Sequence, residues 1–235
     1  MNIIVTGATK GIGKAVVLAF VKDSAAHNFF VCARNESELL QLKMEIEHQF
    51  PQHSVFIFPC DMGNKQEVKD FAKSILHFNK GIDVLVNNAG IYFPGSSYNE
   101  EDGILEKLLN VNLLSAYHLT RALLPKMIEN KKGHIFNMCS IASLKAYENG
   151  GSYSISKFAL AGFTKNLREE MKPYAIKVTG VYPGATMSDS WNGSGIEEKR
   201  IMEANDVAKM IHTSAYLSPQ AVVEDIVLRP QLGDL

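Results

Sequence analysis

The first twenty residues constrain this chain most. Ile3-Ile4-Val5 is a short apolar run that stops at a turn, the mark of a buried strand. Thr6-Gly7-Ala8-Thr9-Lys10-Gly11-Ile12-Gly13 follows, and Lys14 to Phe20 reads as an apolar helix start. Strand, glycine turn and helix, in that order, is the context in which glycines hold a dinucleotide. Gly7 makes the tight turn, Gly11 lets the backbone approach a pyrophosphate, and Gly13 permits close helix–strand packing. The free N–H groups of the helix start then face the phosphates.

The rest of the chain repeats the alternation. Phe29–Ala33, Ser54–Pro59, Ile82–Val86, Gly133–Cys139, Ile176–Tyr182 and Val222–Leu228 read as strands. Helical patterns lie between them. Leu39–Phe50 carries the stripe Leu39, Leu42, Ile46 and Phe50, and Val68–Phe78 carries Val68, Phe71, Ala72, Ile75 and Leu76. Leu105–Met127 is a long helix that Pro125 bends or ends. Ser152–Met171 packs through Ile155, Phe158, Ala159, Gly162 and Phe163, and Asp206–Leu217 is the last helix. The pattern predicts an α/β fold: a doubly wound parallel sheet, helices on both faces, in one domain over 1–235. The stretch from Met187 to Arg200 reads as a mobile flap, bounded at about 186–204.

Composition narrows the function classes. A net charge of −1 gives no reason to expect a nucleic-acid or anionic-membrane partner. No apolar run reaches membrane-spanning length, and the apolar start is too short for a signal peptide. Cys32, Cys60 and Cys139 lie far apart, without metal-ligand spacing, and suit a reducing cytosol. A cytoplasmic protein with no metal site is expected.

The second strand ends at Ala33, followed by Arg34. In a dinucleotide fold this strand end faces the adenosine ribose, where an acid binds the 2′-hydroxyl and an arginine accommodates a 2′-phosphate. Guanidinium matches phosphate bidentately, and Lys10 offers a second cation, so NADP(H) is read rather than NAD. Glu36 reads as a first-turn helix acid. Asp61, followed by Met62, closes the third strand near the adenine; a turn aspartate is the equal alternative. Asn87-Asn88-Ala89-Gly90 marks a turn at the carboxyl edge of the fourth strand, where open α/β sheets bind ligands. Asn112 is mildly unfavourable inside a helix, which suits either a working residue or a satisfied core asparagine.

Tyr153 and Lys157 are four apart and share a helix face. A lysine cation nearby favours the phenolate and lowers the tyrosine pKa, which makes the pair a proton donor and acceptor. A solvated helix face carries the same spacing at no function, so the pair gains meaning only from its company.

In their order, these motifs resemble those of the short-chain dehydrogenase/reductase family, in its compact single-domain branch. Thr6–Gly13 is similar to the family's Thr-Gly-x-x-x-Gly-Ile-Gly, and Asn87–Gly90 to its Asn-Asn-Ala-Gly. Asn112, Ser140, Tyr153 and Lys157 stand at the spacings of its catalytic tetrad, and Pro183-Gly184 at its Pro-Gly. The resemblance implies a Rossmann sheet of seven strands in the order 3-2-1-4-5-6-7. It implies that Tyr153 protonates a carbonyl oxygen as hydride arrives, while Lys157 holds the nicotinamide ribose and tunes the tyrosine. Ser140 hydrogen-bonds the substrate oxygen, and Asn112 helps hold a water. Cofactor contacts are implied from Gly7, Thr9, Lys10, Gly11, Ile12, Gly13, Arg34, Asp61, Met62, Asn88, Ala89, Gly90, Tyr153, Lys157, Pro183, Gly184 and Thr186. A homodimer or homotetramer is implied, through the helices at Leu105–Met127 and Ser152–Met171.

The chain departs from the family at the nicotinamide carboxamide, where Ser188 stands in place of threonine, with Thr186 two residues earlier. The flap is short, and the C-terminus lacks the family's Asp-Gly-Gly. The expected activity is carbonyl reduction or alcohol oxidation on a small molecule. Tyr92, Phe93, Tyr147, Met187 and Trp191 either line its apolar pocket or belong to the core. The rival expectation is a cofactor-sensing protein without turnover, against which the intact Tyr153–Lys157 pair speaks.

Overall fold

The computed structural model describes residues 1–187 and 195–234. Ser188, Trp191 and the middle of the expected flap lie outside the described residues. Among those described, seven strands form one sheet: β1 (Asn2–Thr6), β2 (Asn28–Ala33), β3 (Ser54–Pro59), β4 (Val84–Asn87), β5 (Gly133–Met138), β6 (Ile176–Pro183) and β7 (Asp225–Leu228). The order is β3-β2-β1-β4-β5-β6-β7 and every pairing is parallel, the Rossmann-type arrangement expected.

Helices link the strands: α1 (Gly11–Val21), α2 (Glu36–Gln49), α3 (Lys65–His77), α4 (Ile104–Leu109), α5 (Ser115–Asn130), α6 (Gly151–Met171) and α7 (Ala204–Ala215). Asparagine starts two of them. The side chains of Asn35 and Asn64 accept from backbone N–H groups in the first turns of α2 and α3.

Successive strand side chains point to opposite faces. Ile3, Val5, Phe29 and Val31 pack with Val16 and Phe20 of α1, Leu39 and Ile46 of α2, and Val207 and Ile211 of α7. Ile4, Phe30 and Leu85 pack with Phe71 of α3, Leu119 and Leu123 of α5, and Leu167 and Met171 of α6. Both faces are covered, as a parallel sheet requires. The chain turns in opposite directions from β1, toward β2 on one side and β4 on the other. A crevice opens there at the carboxyl ends of the strands.

Four expectations need correction. The helix over Leu105–Met127 is not one regular helix: α4 and α5 are joined by a π-helical turn at Asn110–Leu114. Pro125 does not end α5, which runs on to Asn130. Pro125 and Arg121, four residues earlier, are both exposed, so water is available to the carbonyl that loses its partner. The last strand is shorter, Asp225–Leu228 rather than Val222–Leu228. The Val223 carbonyl accepts from the Thr179 hydroxyl rather than from a β6 backbone N–H, and the ladder begins where the Glu224 carbonyl accepts from Gly180 N–H as well as from Arg168.

The fourth correction concerns α6. Its expected apolar face is only partly inward: Ile155 and Phe158 are 46% and 45% exposed, while Phe163 packs against the core. The buried face carries Ser156, Lys157, Thr164 and Arg168 beside Leu160, Leu167 and Met171. Each of those four polar groups has a partner. Ser156 bonds Tyr153 and Asn112, Lys157 bonds the Met138 carbonyl, Thr164 bonds Leu160 and Asn137, and Arg168 bonds the Val178 carbonyl. Satisfied polar groups are tolerated inside, and hydropathy alone does not detect them.

Candidate active site

The crevice is a groove of about 1790 Å³ along the carboxyl edge of the sheet. Its floor at one end is the β1–α1 turn. Gly7 and Gly11 have φ of +63° and +51°, a region glycine enters freely. A Cβ on Gly13 would lie 2.1 Å from the Gly7 carbonyl oxygen and 2.5 Å from Asn88 Nδ2. Lys10 precedes the first residue of α1, and no side chain caps that end. The N–H groups of Gly11, Ile12 and Gly13 therefore have no acceptor within the helix, which is a receptor for phosphate. This uncapped glycine cradle fits a dinucleotide.

Thr9, Lys10, Gly11, Ile12 and Gly7 line the groove with Arg34, Asp61 and Met62. Arg34 is exposed on the wall. Lys10 Nζ lies 3.1 Å from Glu38 Oε1. Asp61 Oδ1 accepts from the Gly63 N–H, so its carboxylate also stabilises the turn after β3. Met62 is buried, and its sulfur accepts from the thiols of Cys32 and Cys60. Asn88, Ala89 and Gly90 form the opposite wall. The Asn88 amide donates to the carbonyls of Thr6 and Gly7, and the Thr6 hydroxyl accepts from the N–H groups of Asn88 and Ala89. Much of the hydrogen bonding of Asn88 thus shapes the glycine turn. Gly13 lies behind the wall rather than on it.

At the other end, β5 delivers Ser140 and α6 delivers Tyr153 and Lys157 to the same groove. The Ser140 hydroxyl accepts from Ala142 N–H at 3.2 Å and acts on the Tyr153 phenol to lower its pKa. Tyr92 packs edge-on against the Tyr153 ring at 4.9 Å. Lys157 is buried, donates to the Met138 carbonyl at 2.7 Å, and lies 5.8 Å from the centre of the Tyr153 ring. Burial lowers the Lys157 pKa to about 8. Burial also pushes the Tyr153 phenol above its ordinary value, and the Ser140 hydroxyl opposes this only in part. The expected lowering of the Tyr153 pKa by Lys157 is not found: burial raises it, and what opposes burial is Ser140 rather than the lysine.

Asn112 stands in the π-helical turn, off the groove wall. Its amide donates to the Ile91 carbonyl and the Ser156 hydroxyl, both at 3.0 Å, and its Oδ1 accepts from Ile91 N–H at 2.8 Å. A Cβ added to Gly90 would lie 3.3 Å from that oxygen and 3.5 Å from Lys157 Nζ. Pro183, Gly184 and Thr186 complete the groove after β6, with the Thr186 hydroxyl turned to the Gly184 carbonyl at 2.9 Å. Tyr92, Phe93 and Tyr147 line the groove near Tyr153, whereas Met187 does not.

Sequence reasoning missed two carboxylates. Glu38 shares the groove wall with Arg34. Glu100 accepts from the Ser152 N–H at 2.9 Å and from its hydroxyl, one residue before Tyr153. Glu38 is two residues beyond the weighed Glu36 and differs only in facing the groove. Glu100 sits in an irregular loop, where no periodicity exposes its partner.

A family model described as short chain dehydrogenase matches residues 1–199. The sepiapterin reductase of Chlorobaculum tepidum is 31% identical, over 99% of this chain and 97% of that protein. The dehydrogenase/reductase SDR family member 7B of Xenopus laevis is 34% identical over 77% of this chain, and the match spans only 57% of that longer protein. A metagenomic short-chain oxidoreductase, solved in complex with NADP, superposes with a TM-score of 0.82 at 28% identity, over 98% of this chain and 97% of that one. On the matched residues, the sheet order and the groove, the chain belongs to the short-chain dehydrogenase/reductase family of oxidoreductases.

Proposed function

We propose that this protein is an NADP(H)-dependent oxidoreductase that interconverts a carbonyl compound and an alcohol, acting chiefly as a reductase. One observation carries the reading: a single groove joins the uncapped glycine cradle to a serine, a tyrosine and a buried lysine. Arg34 and Lys10 on the cradle side favour the 2′-phosphorylated cofactor. The NADP-bound relative points the same way.

NADPH, when bound, supplies the hydride. The chain supplies the proton and the electrostatics. Tyr153 is the general acid toward the carbonyl oxygen. Burial keeps its phenol protonated, which suits donation and hence reduction. The Ser140 hydroxyl, in the same groove as that phenol, shares the developing negative charge on oxygen. Lys157, fixed by the Met138 carbonyl, holds positive charge beside the tyrosine and offers further N–H donors to a ribose. Asn112 acts through Ile91 and Ser156, setting the floor under Gly90 and Lys157. Tyr92, Phe93 and Tyr147 favour an apolar or aromatic substituent on the carbonyl compound.

The same reading takes 1–235 as one catalytic domain in a homodimer or homotetramer. Ile155 and Phe158 form an exposed apolar face on α6, which a second subunit would cover. Light scattering on Phe158→Glu would then report a smaller particle than the wild type.

The test of the activity is NADPH consumption by the wild type against ketones, aldehydes, β-ketoacyl thioesters and pterins. Carbonyl-dependent oxidation of NADPH is expected. Failure to bind either nicotinamide cofactor would remove the enzyme reading altogether.

A further inference from the structure

Arg34 and Lys10 give the adenosine end of the groove two cations, but a carboxylate stands with them. Glu38, in the first turn of α2, lines the same groove, with its Oε1 3.1 Å from Lys10 Nζ. Hydrogen bonds from Lys10 and then Thr9 hold its carboxyl below the ordinary range, so it is ionised at neutral pH. Glu36 shares the first turn of α2 but does not line the groove. The Asn35 side chain is occupied as the helix cap, accepting from Glu38 N–H at 3.2 Å. Glu38 is therefore the anionic acceptor at this end of the wall that lies in contact with a phosphate-seeking cation.

We propose that Glu38 is a specificity-determining residue that restrains the preference for NADPH and gives NADH a foothold. The inference rests on the cofactor reading above. A 2′-phosphate carries close to two negative charges near neutral pH. To take Lys10, it must compete with Glu38 and then sit beside a like charge. A 2′-hydroxyl makes the opposite demand: it is a donor, and an ionised carboxylate is its acceptor. The Lys10–Glu38 pair thus offers one partner to each cofactor. With NADPH the lysine turns to the phosphate, and with NADH the carboxylate takes the ribose hydroxyl.

The experiment is fluorescence titration of the full chain with NADPH and NADH, for the wild type, Glu38→Gln and Glu36→Gln. Glu36→Gln makes the same change in net charge off the groove wall. Glu38→Gln is expected to raise the NADPH-over-NADH affinity ratio roughly three- to fivefold, the upper scale of one exposed charge pair. Glu36→Gln is expected to leave that ratio within about twofold, since its charge is screened by solvent. An unchanged or reduced ratio in Glu38→Gln would overturn the proposal, a reduced one showing that Glu38 orients Lys10 toward the phosphate. Equal effects of the two variants would overturn it in favour of general charge. A wild type that binds neither cofactor removes the underlying cofactor reading, an outcome distinct from all of these.

Discussion

Lys157 directs its ammonium to the carbonyl of Met138 at 2.7 Å, not to the phenol of Tyr153 one turn away. The bond runs from the first turns of α6 to the end of β5, the strand that also presents Ser140. It ties the two elements that carry the candidate catalytic groups. The lysine therefore has a fixed position before any ligand enters.

Replacing Tyr153 with phenylalanine should remove the proton donor and leave the cradle untouched. Carbonyl reduction should fall by about 10²–10⁴-fold, the usual contribution of a positioned acid. NADPH affinity, read by fluorescence, should stay within about threefold. Retention of full activity would take the catalytic role from Tyr153.

Gly13→Ala tests the turn at β1–α1. The added methyl meets the Gly7 carbonyl oxygen at 2.1 Å, a backbone atom that cannot rotate aside. Relief requires α1 to move away from the sheet. A loss of about 1–3 kcal/mol is expected from such overpacking, with cofactor binding lost in whatever remains folded. Denaturant midpoints and NADPH titration check both, and a variant with wild-type values would show that the turn relaxes freely.

Glu100 joins the loop carrying Tyr92 to the start of α6, accepting from Ser152 at its first turn. A Cβ on Gly151 would come within 1.9 Å of its Oε1, so the approach is tight. Glu100→Ala should cost about 1–2 kcal/mol, as loss of a helix cap does. Glu100→Gln keeps an acceptor and should recover most of it. Equal urea midpoints for the alanine variant and wild type would argue that the contact adds nothing.

His134 links acid to stability. Burial lowers its pKa from 6.5 to about 3, so the folded state holds it neutral while the unfolded state takes a proton below 6.5. Its contribution is complete above about pH 6.5 and is lost as pH falls toward 3. In that window the unfolded chain binds up to one more proton, a slope of about 1.4 kcal/mol per pH unit. His134→Leu should flatten the decline, measured by urea unfolding across the window. The Thr179 hydroxyl, left by the ring, still has the Val223 carbonyl. An unchanged slope would place the acid sensitivity elsewhere.

Much of this protein was written in local pattern. The strand, glycine turn and helix at Ile3–Phe20, the alternation that follows, and the spacing of Ser140, Tyr153 and Lys157 are properties of neighbouring residues. Backbone sterics and side-chain period fix them, so the sequence alone determined the class of fold and the candidate groups. The inner face of α6 was not legible. Ser156, Lys157, Thr164 and Arg168 are buried because partners from β5, β6 and the π-helical turn satisfy them, and those partners are distant in sequence. The roles of Glu38, Glu100 and Asn112 were equally hidden. Each depends on which atom lies within three ångströms of it, a distance that only the assembled sheet and its loops decide.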